Sequence, residues 1–209
     1  MNIQNLLIFG AVVVVVWCVV ICFWPRLILS VYKRAALGKG FGDGPIPVNT
    51  LHTQPPELFA DPIAAQTASG SNVLTVGVNH DTLLAAGWLD LRQGPLVLHV
   101  PDMSDRYYSV QFTDPSKNTN FAYVGTRTTG TRAGDYLVTG RNWKEQVPSG
   151  MKQISSPNNS VLVAGRVLVK SDSDLSTAHD LAKQIQLTPL SGWQPSPDHP
   201  ASPLRPTTH

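Results

Sequence analysis

Charged residues are scarce in this sequence, and cysteine is nearly absent. Charged residues make up only 14% of the 209 residues and the net charge is +2, which excludes a nucleic-acid binder that works by neutralising phosphates. Two cysteines cannot form a disulfide framework. The chain is too apolar to be disordered, and its 16 glycines and 17 prolines exclude a coiled coil.

The sequence also lacks the common catalytic motifs. It contains no G-x-S-x-G, H-E-x-x-H, Walker loop or C-x-x-C, each of which would place a nucleophile, a metal or a phosphate in a known local structure. The motifs therefore assign no catalytic residue, no metal ligand and no cofactor.

A long uncharged run near the start of the chain predicts a single membrane-spanning helix. After residues 1–5, residues 6–24 contain no charge, and their 19 positions are close to the roughly 20 needed to cross a bilayer. Pro25 is expected to end or kink this helix. A cleaved signal peptide is the alternative, but the run exceeds the usual apolar segment and no Lys or Arg precedes it.

Residues 25–71 read as a juxtamembrane segment and linker. The stretch 27–40 predicts a short interfacial helix, and the Gly- and Pro-rich residues that follow are typical of a linker. Basic residues follow the apolar run and none precedes it, so the positive-inside rule places the remainder of the chain in the cytoplasm. These basic residues are Arg26, Lys33, Arg34 and Lys39.

Short alternating runs between residues 72 and 191 predict a mainly β domain, an antiparallel β-sandwich or a jelly-roll-like fold. A tight hairpin is expected at Arg92–Gly94, and a bulge or close backbone approach at Gly165. One late helix is expected from Leu175, capped by Asp172 or Ser173. Residues 192–209 predict a Pro-rich disordered tail. The expected strands are 72–78, 87–91, 95–100, 106–113, 120–125, 135–140, 152–155 and 160–170.

Polar residues near the predicted strand ends are the candidate ligand-binding residues: Asn79, His80, Asp81, Arg106, Tyr107 and Arg127. His80 and Asp81 have the chemistry of a base and its orienting carboxylate, or of metal ligands, although a plain turn explains them equally well. Arg106 and Arg127 could hold an anion or could be solvated or ion-paired. A metal site that combines His80 and Asp81 with His99, Asp102 and Asp105 is a further possibility in composition.

The motifs N-x-D-T-L, W-L-D-L, R-Y-Y and T-P-L-S, in this order across residues 73–191, resemble a bacterial family called domain of unknown function 1254. The resemblance implies a β-rich sandwich with no established reaction. It also implies a companion β-domain, of unknown function 1214, which this chain lacks and a separate protein would supply. His80 and Leu84 depart from the family pattern, which puts the usual ligand of that motif in doubt. Exported members of the family favour a periplasmic domain on the inner membrane, against the charge count.

Together these features predict a membrane-anchored ligand-binding or assembly module. Its expected partners are the lipid bilayer and a separately encoded protein, with no nucleic acid. The alternative is a hydrolase or lyase that acts on a small anionic substrate through the loop Asn79–Asp81.

Overall fold

The computed structural model describes residues 2–41, 43–60, 81–104 and 106–194. Its first element is the helix α1 (Ile3–Lys39), whose 37 residues extend over about 55 Å. By length and composition α1 could cross a membrane, and its most apolar part is not buried by the rest of the protein.

Helix α1 continues through Pro25 and does not end there. Proline removes one backbone hydrogen bond, but it leaves the following residues free to remain helical. The residues after Pro25 include Arg34, Ala35, Ala36 and Leu37, which are good helix formers. The short interfacial helix expected at 27–40 is therefore the end of one continuous helix.

The rest of the described chain is a mainly β domain of two sheets, as predicted. Sheet A has the strand order β1-β2-β8-β4-β5 and sheet B the order β7-β6-β3-β9. All pairs are antiparallel except β6 with β7. Sheet A contains β1 (His52–Thr53), β2 (Thr82–Asp90), β4 (Tyr108–Asp114), β5 (Thr119–Gly125) and β8 (Ser160–Leu168). Sheet B contains β3 (Leu96–Val100), β6 (Gly134–Thr139), β7 (Lys152–Ser155) and β9 (Gln186–Pro189).

The described residues of the domain also form two helices, α2 (Pro56–Ala60) and the predicted late helix, α3 (Leu175–Gln184). The apolar stripe of α3 faces the core, where Ala178 and Ala182 are fully buried. Alternate residues of β4 face the same core, so Tyr108, Val110 and Phe112 are also fully buried. The alternation that predicted this strand therefore identifies its buried face.

The hairpin expected at Arg92–Gly94 is absent, and this prediction was wrong. A single 3-10 turn, Leu91–Gln93, carries the chain from β2 in sheet A to β3 in sheet B. Asp90 holds this turn because its carboxylate accepts a hydrogen bond from the Arg92 amide. The Leu91 amide donates to the carbonyl of Asn159, which directly precedes β8, so the turn is held at the start of that strand.

Gly165 lies in regular pairing with Ala85, and a Cβ there would lie 3.2 Å from the Ala85 Cβ. The expected close approach is therefore present at Gly165. The irregularity in pairing lies elsewhere, because the register between β4 and β5 shifts between Phe112 and Thr113. Neither Asp172 nor Ser173 caps α3, because both belong to a 3-10 turn that precedes it. The strand expected at 72–78 and the tail beyond residue 194 lie outside the described residues.

The described residues after α1 are packed against sheet A, although their composition is that of a linker. Phe41 and Ile46 are almost fully buried, and the Ile46 amide donates to the carbonyl of Leu37. The Asn49 amide donates to the carbonyl of Trp88 at 2.9 Å, and β1 pairs with β2. Backbone hydrogen bonds, which composition does not reveal, fix this segment.

Candidate functional site

The sandwich has two ends with different surroundings. At the proximal end β2 and β4 finish, and the turn Pro115–Lys117 lies across a cavity from α1. At the distal end β2 and β4 begin while β5 and β8 finish. The candidate residues are described below by the end at which they lie.

The described candidates from the sequence, Asp81, Arg106, Tyr107 and Arg127, all lie at the distal end. The Asp81 carbonyl accepts a hydrogen bond from Val169, and the Tyr107 carbonyl accepts one from Leu168. Arg127 lies two residues beyond the end of β5. Asn79 and His80 lie outside the described residues, so their proposed partnership with Asp81 stays a prediction.

Arg106 is committed to a structural ion pair. The residue is only 6% exposed, and its Nη1 and Nη2 donate to the Asp174 carboxylate at 2.5 and 2.6 Å. Nη1 also donates to the carbonyl of Leu168. Hydrogen bonds from Arg106 and from the Lys170 amide lower the pKa of Asp174 to about 2. Since Asp174 directly precedes α3, the pair ties this helix to sheet A.

Tyr107 and Arg127 form a second, more open pair. The Arg127 guanidinium lies 5.7 Å from the centre of the Tyr107 ring, an arrangement in which the ring face attracts the cation. Arg127 is exposed and makes no ion pair within the part of the chain that the structure describes. Of the two candidate arginines, Arg127 is the one whose charge is available to an anionic ligand.

A histidine–carboxylate pair lies on sheet B, also towards the distal end. His99 of β3 is paired in register with Asp135 of β6, and its Nδ1 lies 2.7 Å from the Asp135 carboxylate. The side chain of Asp135 is 9% exposed and that of His99 is 38% exposed. A buried carboxylate that orients an accessible imidazole can support proton transfer at the other ring nitrogen.

The sequence alone did not reveal this pair, since 36 positions separate its members and only the strand register joins them. Of the partners considered for His99, His80 also lies outside the described residues. Asp102 instead accepts a hydrogen bond from the Ser104 amide at 2.7 Å, and Asp105 lies outside the described residues. Within the described ranges no group of three metal-binding side chains is present.

Asp114 shapes the proximal turn, and it is not among the ligand-binding candidates that the sequence suggests. Its Oδ1 accepts hydrogen bonds from the Ser116 hydroxyl at 2.6 Å and from Asn158 at 3.2 Å. Burial opposes ionisation of Asp114, but the hydrogen bonds from Ser116 and Asn158 outweigh it and lower the pKa. The position of Ser116 and Lys117 beside α1 therefore depends on a buried carboxylate.

Comparisons with known proteins agree with this architecture. The chain is similar to the VPA0106 protein from Vibrio parahaemolyticus, whose crystal structure matches with a TM-score of 0.57 and 24% sequence identity. The match covers 83% of this chain but 40% of the Vibrio protein, so this chain spans less than half of that protein's length. No curated protein matches.

The family described as protein of unknown function (DUF1254) matches residues 62–189, more than half of the chain. The chain belongs to this family.

Proposed function

We propose that the protein is a membrane-anchored assembly module that holds a partner β-domain at a fixed position relative to the bilayer. The observation that carries this proposal is the docking of α1 on the outer face of sheet A. A module that only needed to stay near the membrane would need no such contact, because a flexible linker would be sufficient.

Trp88 of β2 is the centre of this contact. It is 1% exposed, and its ring centre lies 6.3 Å from that of Tyr32 and 5.3 Å from the Lys33 ammonium group on α1. Its indole N–H donates to the Ser160 hydroxyl at 2.7 Å. Truncation of a buried tryptophan costs about 3–5 kcal/mol, and the share of this burial that Tyr32 and Lys33 provide stabilises the docked helix.

Strand β5 offers a surface for the partner. It is the outermost strand of sheet A among the described strands, and its residues Thr119–Gly125 include no charged residue and no proline. Tyr123 on this strand is 46% exposed. Natural edge strands usually carry charges or proline that prevent further pairing, whereas an uncharged edge favours the addition of a partner strand.

The family resemblance, which pairs this domain with a companion β-domain, supports a partner protein. The Vibrio protein contains more than half of its length beyond the region matched by this chain. We expect a separate chain, with the companion domain of unknown function 1214, to supply the equivalent of that region. We also propose that the domain lies on the periplasmic side of the inner membrane, as the family resemblance implies.

Co-purification from native membranes tests the assembly. The tagged full chain is expressed at native abundance, crosslinked, extracted in mild detergent and analysed by mass spectrometry. We expect an equimolar complex with a chain that contains the companion β-domain. Tyr123→Lys should reduce its recovery about tenfold, which corresponds to about 1.4 kcal/mol, because the new charge would be desolvated at the pairing edge.

Tyr123→Phe is the matched control, since it retains the ring and adds no charge. It should recover the same complex as the unsubstituted chain. Both variants should keep the same melting temperature to within a few degrees. Recovery of the chain alone from native membranes would refute the assembly, and equal recovery with Tyr123→Lys would refute β5 as the pairing edge.

A further inference from the structure

A cavity of about 750 Å³ lies between α1 and the turn that joins β4 to β5. One wall belongs to the anchor helix and the other to the β domain, so the cavity exists only because the two are docked. Apolar and polar side chains both contribute to its lining. The residues that matter here are Trp24, Ile28, Arg26, Tyr32, Ser116 and Lys117.

The polar part of the cavity carries positive charge. Arg26 and Lys117 make no ion pair within the described ranges, and Lys117 is exposed. Asp114, the nearby carboxylate, is 1% exposed and accepts three hydrogen bonds from Ser116 and Asn158. The Ser116 hydroxyl donates to Asp114, so the groups that the cavity offers to a phosphate are the two cations, Arg26 and Lys117.

The depth of the cavity in the membrane follows from the helix. Residues 6–24 would extend over about 28 Å at 1.5 Å per residue, and this length matches a hydrocarbon core of about 30 Å. Trp24 and Arg26 then lie where hydrocarbon meets headgroups, a level at which tryptophan is enriched. The cavity is thus at the height of lipid phosphates, and Trp24, on the hydrocarbon side of Arg26, is available to an acyl chain.

We infer that this cavity binds one anionic phospholipid of the surrounding membrane, with its phosphate beside Arg26 and Lys117. The bound lipid would stand between the anchor and the β4–β5 turn and reinforce their docking. The lipid site is formed only by α1 and this turn. It does not rest on the proposed partner, so either can fail without the other.

Native mass spectrometry of the full chain in detergent tests the site. The purified protein is titrated with phosphatidylglycerol, with phosphatidylcholine and with inorganic phosphate. We expect one retained phosphatidylglycerol per chain and weaker retention of phosphatidylcholine. Lys117→Gln should weaken phosphatidylglycerol binding about fivefold, the effect expected for one basic residue near a membrane surface.

Lys183→Gln is the matched control, because Lys183 is an exposed lysine in the last turn of α3 and does not line the cavity. It should leave the affinity unchanged. Equal retention of both lipids together with no effect of Lys117→Gln would overturn the site, since only a nonspecific lipid belt would remain. Displacement of the lipid by inorganic phosphate at the same concentration would also overturn it, in favour of a free phosphate ligand.

Discussion

The substitution Gly87→Ala should release the segment after α1 from sheet A while the β core stays folded. A Cβ at Gly87 would lie 2.2 Å from the carbonyl oxygen of Thr50, far inside van der Waals contact. The contact is with backbone, so it cannot be relieved by a side-chain rotation. The segment that contains Thr50 has to move away from β2.

The size of the effect follows from what this movement breaks. The Asn49 amide donates to the Trp88 carbonyl and the Gln54 amide to the Leu84 carbonyl, and each such bond contributes about 0.5–1.5 kcal/mol. Steric overpacking typically costs about 1–3 kcal/mol. We therefore expect the free energy of local opening to fall by about 1–3 kcal/mol, which speeds amide exchange about 5- to 150-fold.

Hydrogen exchange followed by mass spectrometry measures the free energy of local opening directly. In Gly87→Ala, peptides that cover residues 45–54 should exchange faster, whereas peptides from β4 should not change. Gly165→Ala is the matched control, because its Cβ would meet the side chain of Ala85 and not the segment after α1. Unchanged exchange in residues 45–54 would refute the docking argument, and faster exchange throughout the domain would show that the substitution unfolds the core.

Two further predictions concern stability at low pH and the side of the membrane. Because the folded pKa of Asp174 is lowered to about 2, its pair with Arg106 stabilises the fold above about pH 4 and is lost as the pH falls towards 2. Asp174→Asn should therefore lower the free energy of unfolding by roughly 1–2 kcal/mol at pH 7. It should also flatten the decline of melting temperature between pH 5 and 2, and an unchanged decline would contradict this role of Asp174. A reporter enzyme active only outside the cytoplasm, fused after His209, should be active if the domain is periplasmic, and activity of a cytoplasm-specific reporter instead would reverse the orientation.

The features predicted correctly from the sequence are those that depend on local periodicity. The alternation of Tyr108, Val110 and Phe112 predicts β4 and its buried face, and the spacing of Ala178 and Ala182 predicts the buried face of α3. These patterns need no knowledge of the partner element. Each residue is buried or exposed by the geometry of its own helix or strand.

The features that the sequence did not predict depend on contacts between distant segments. Gln93 and Gly94 are residues typical of a hairpin turn. The chain nevertheless passes to the other sheet, because the amide of Leu91 donates to the carbonyl of Asn159. The pairing of His99 with Asp135 depends on strand register. Arginine is a residue type that often binds anionic ligands. In this structure, however, the Arg106 guanidinium is paired with the carboxylate of Asp174, which lies 68 positions away.

The docking of α1 also constrains the ligands that the distal end can meet. Strand β4 runs from Tyr108 at the distal end to Asp114 at the proximal end, and its seven residues extend over about 24 Å. With α1 placed in the membrane as proposed, the cavity beside Arg26 is at the height of lipid headgroups, and Arg127 and His99 would lie up to that distance farther from the bilayer. Because a packed contact and not a flexible linker sets this height, a lipid headgroup cannot reach them by movement of the domain. On this proposal a ligand of Arg127 or His99 would be soluble or be presented by a bound partner, whereas Arg26 and Lys117 would be within reach of the membrane.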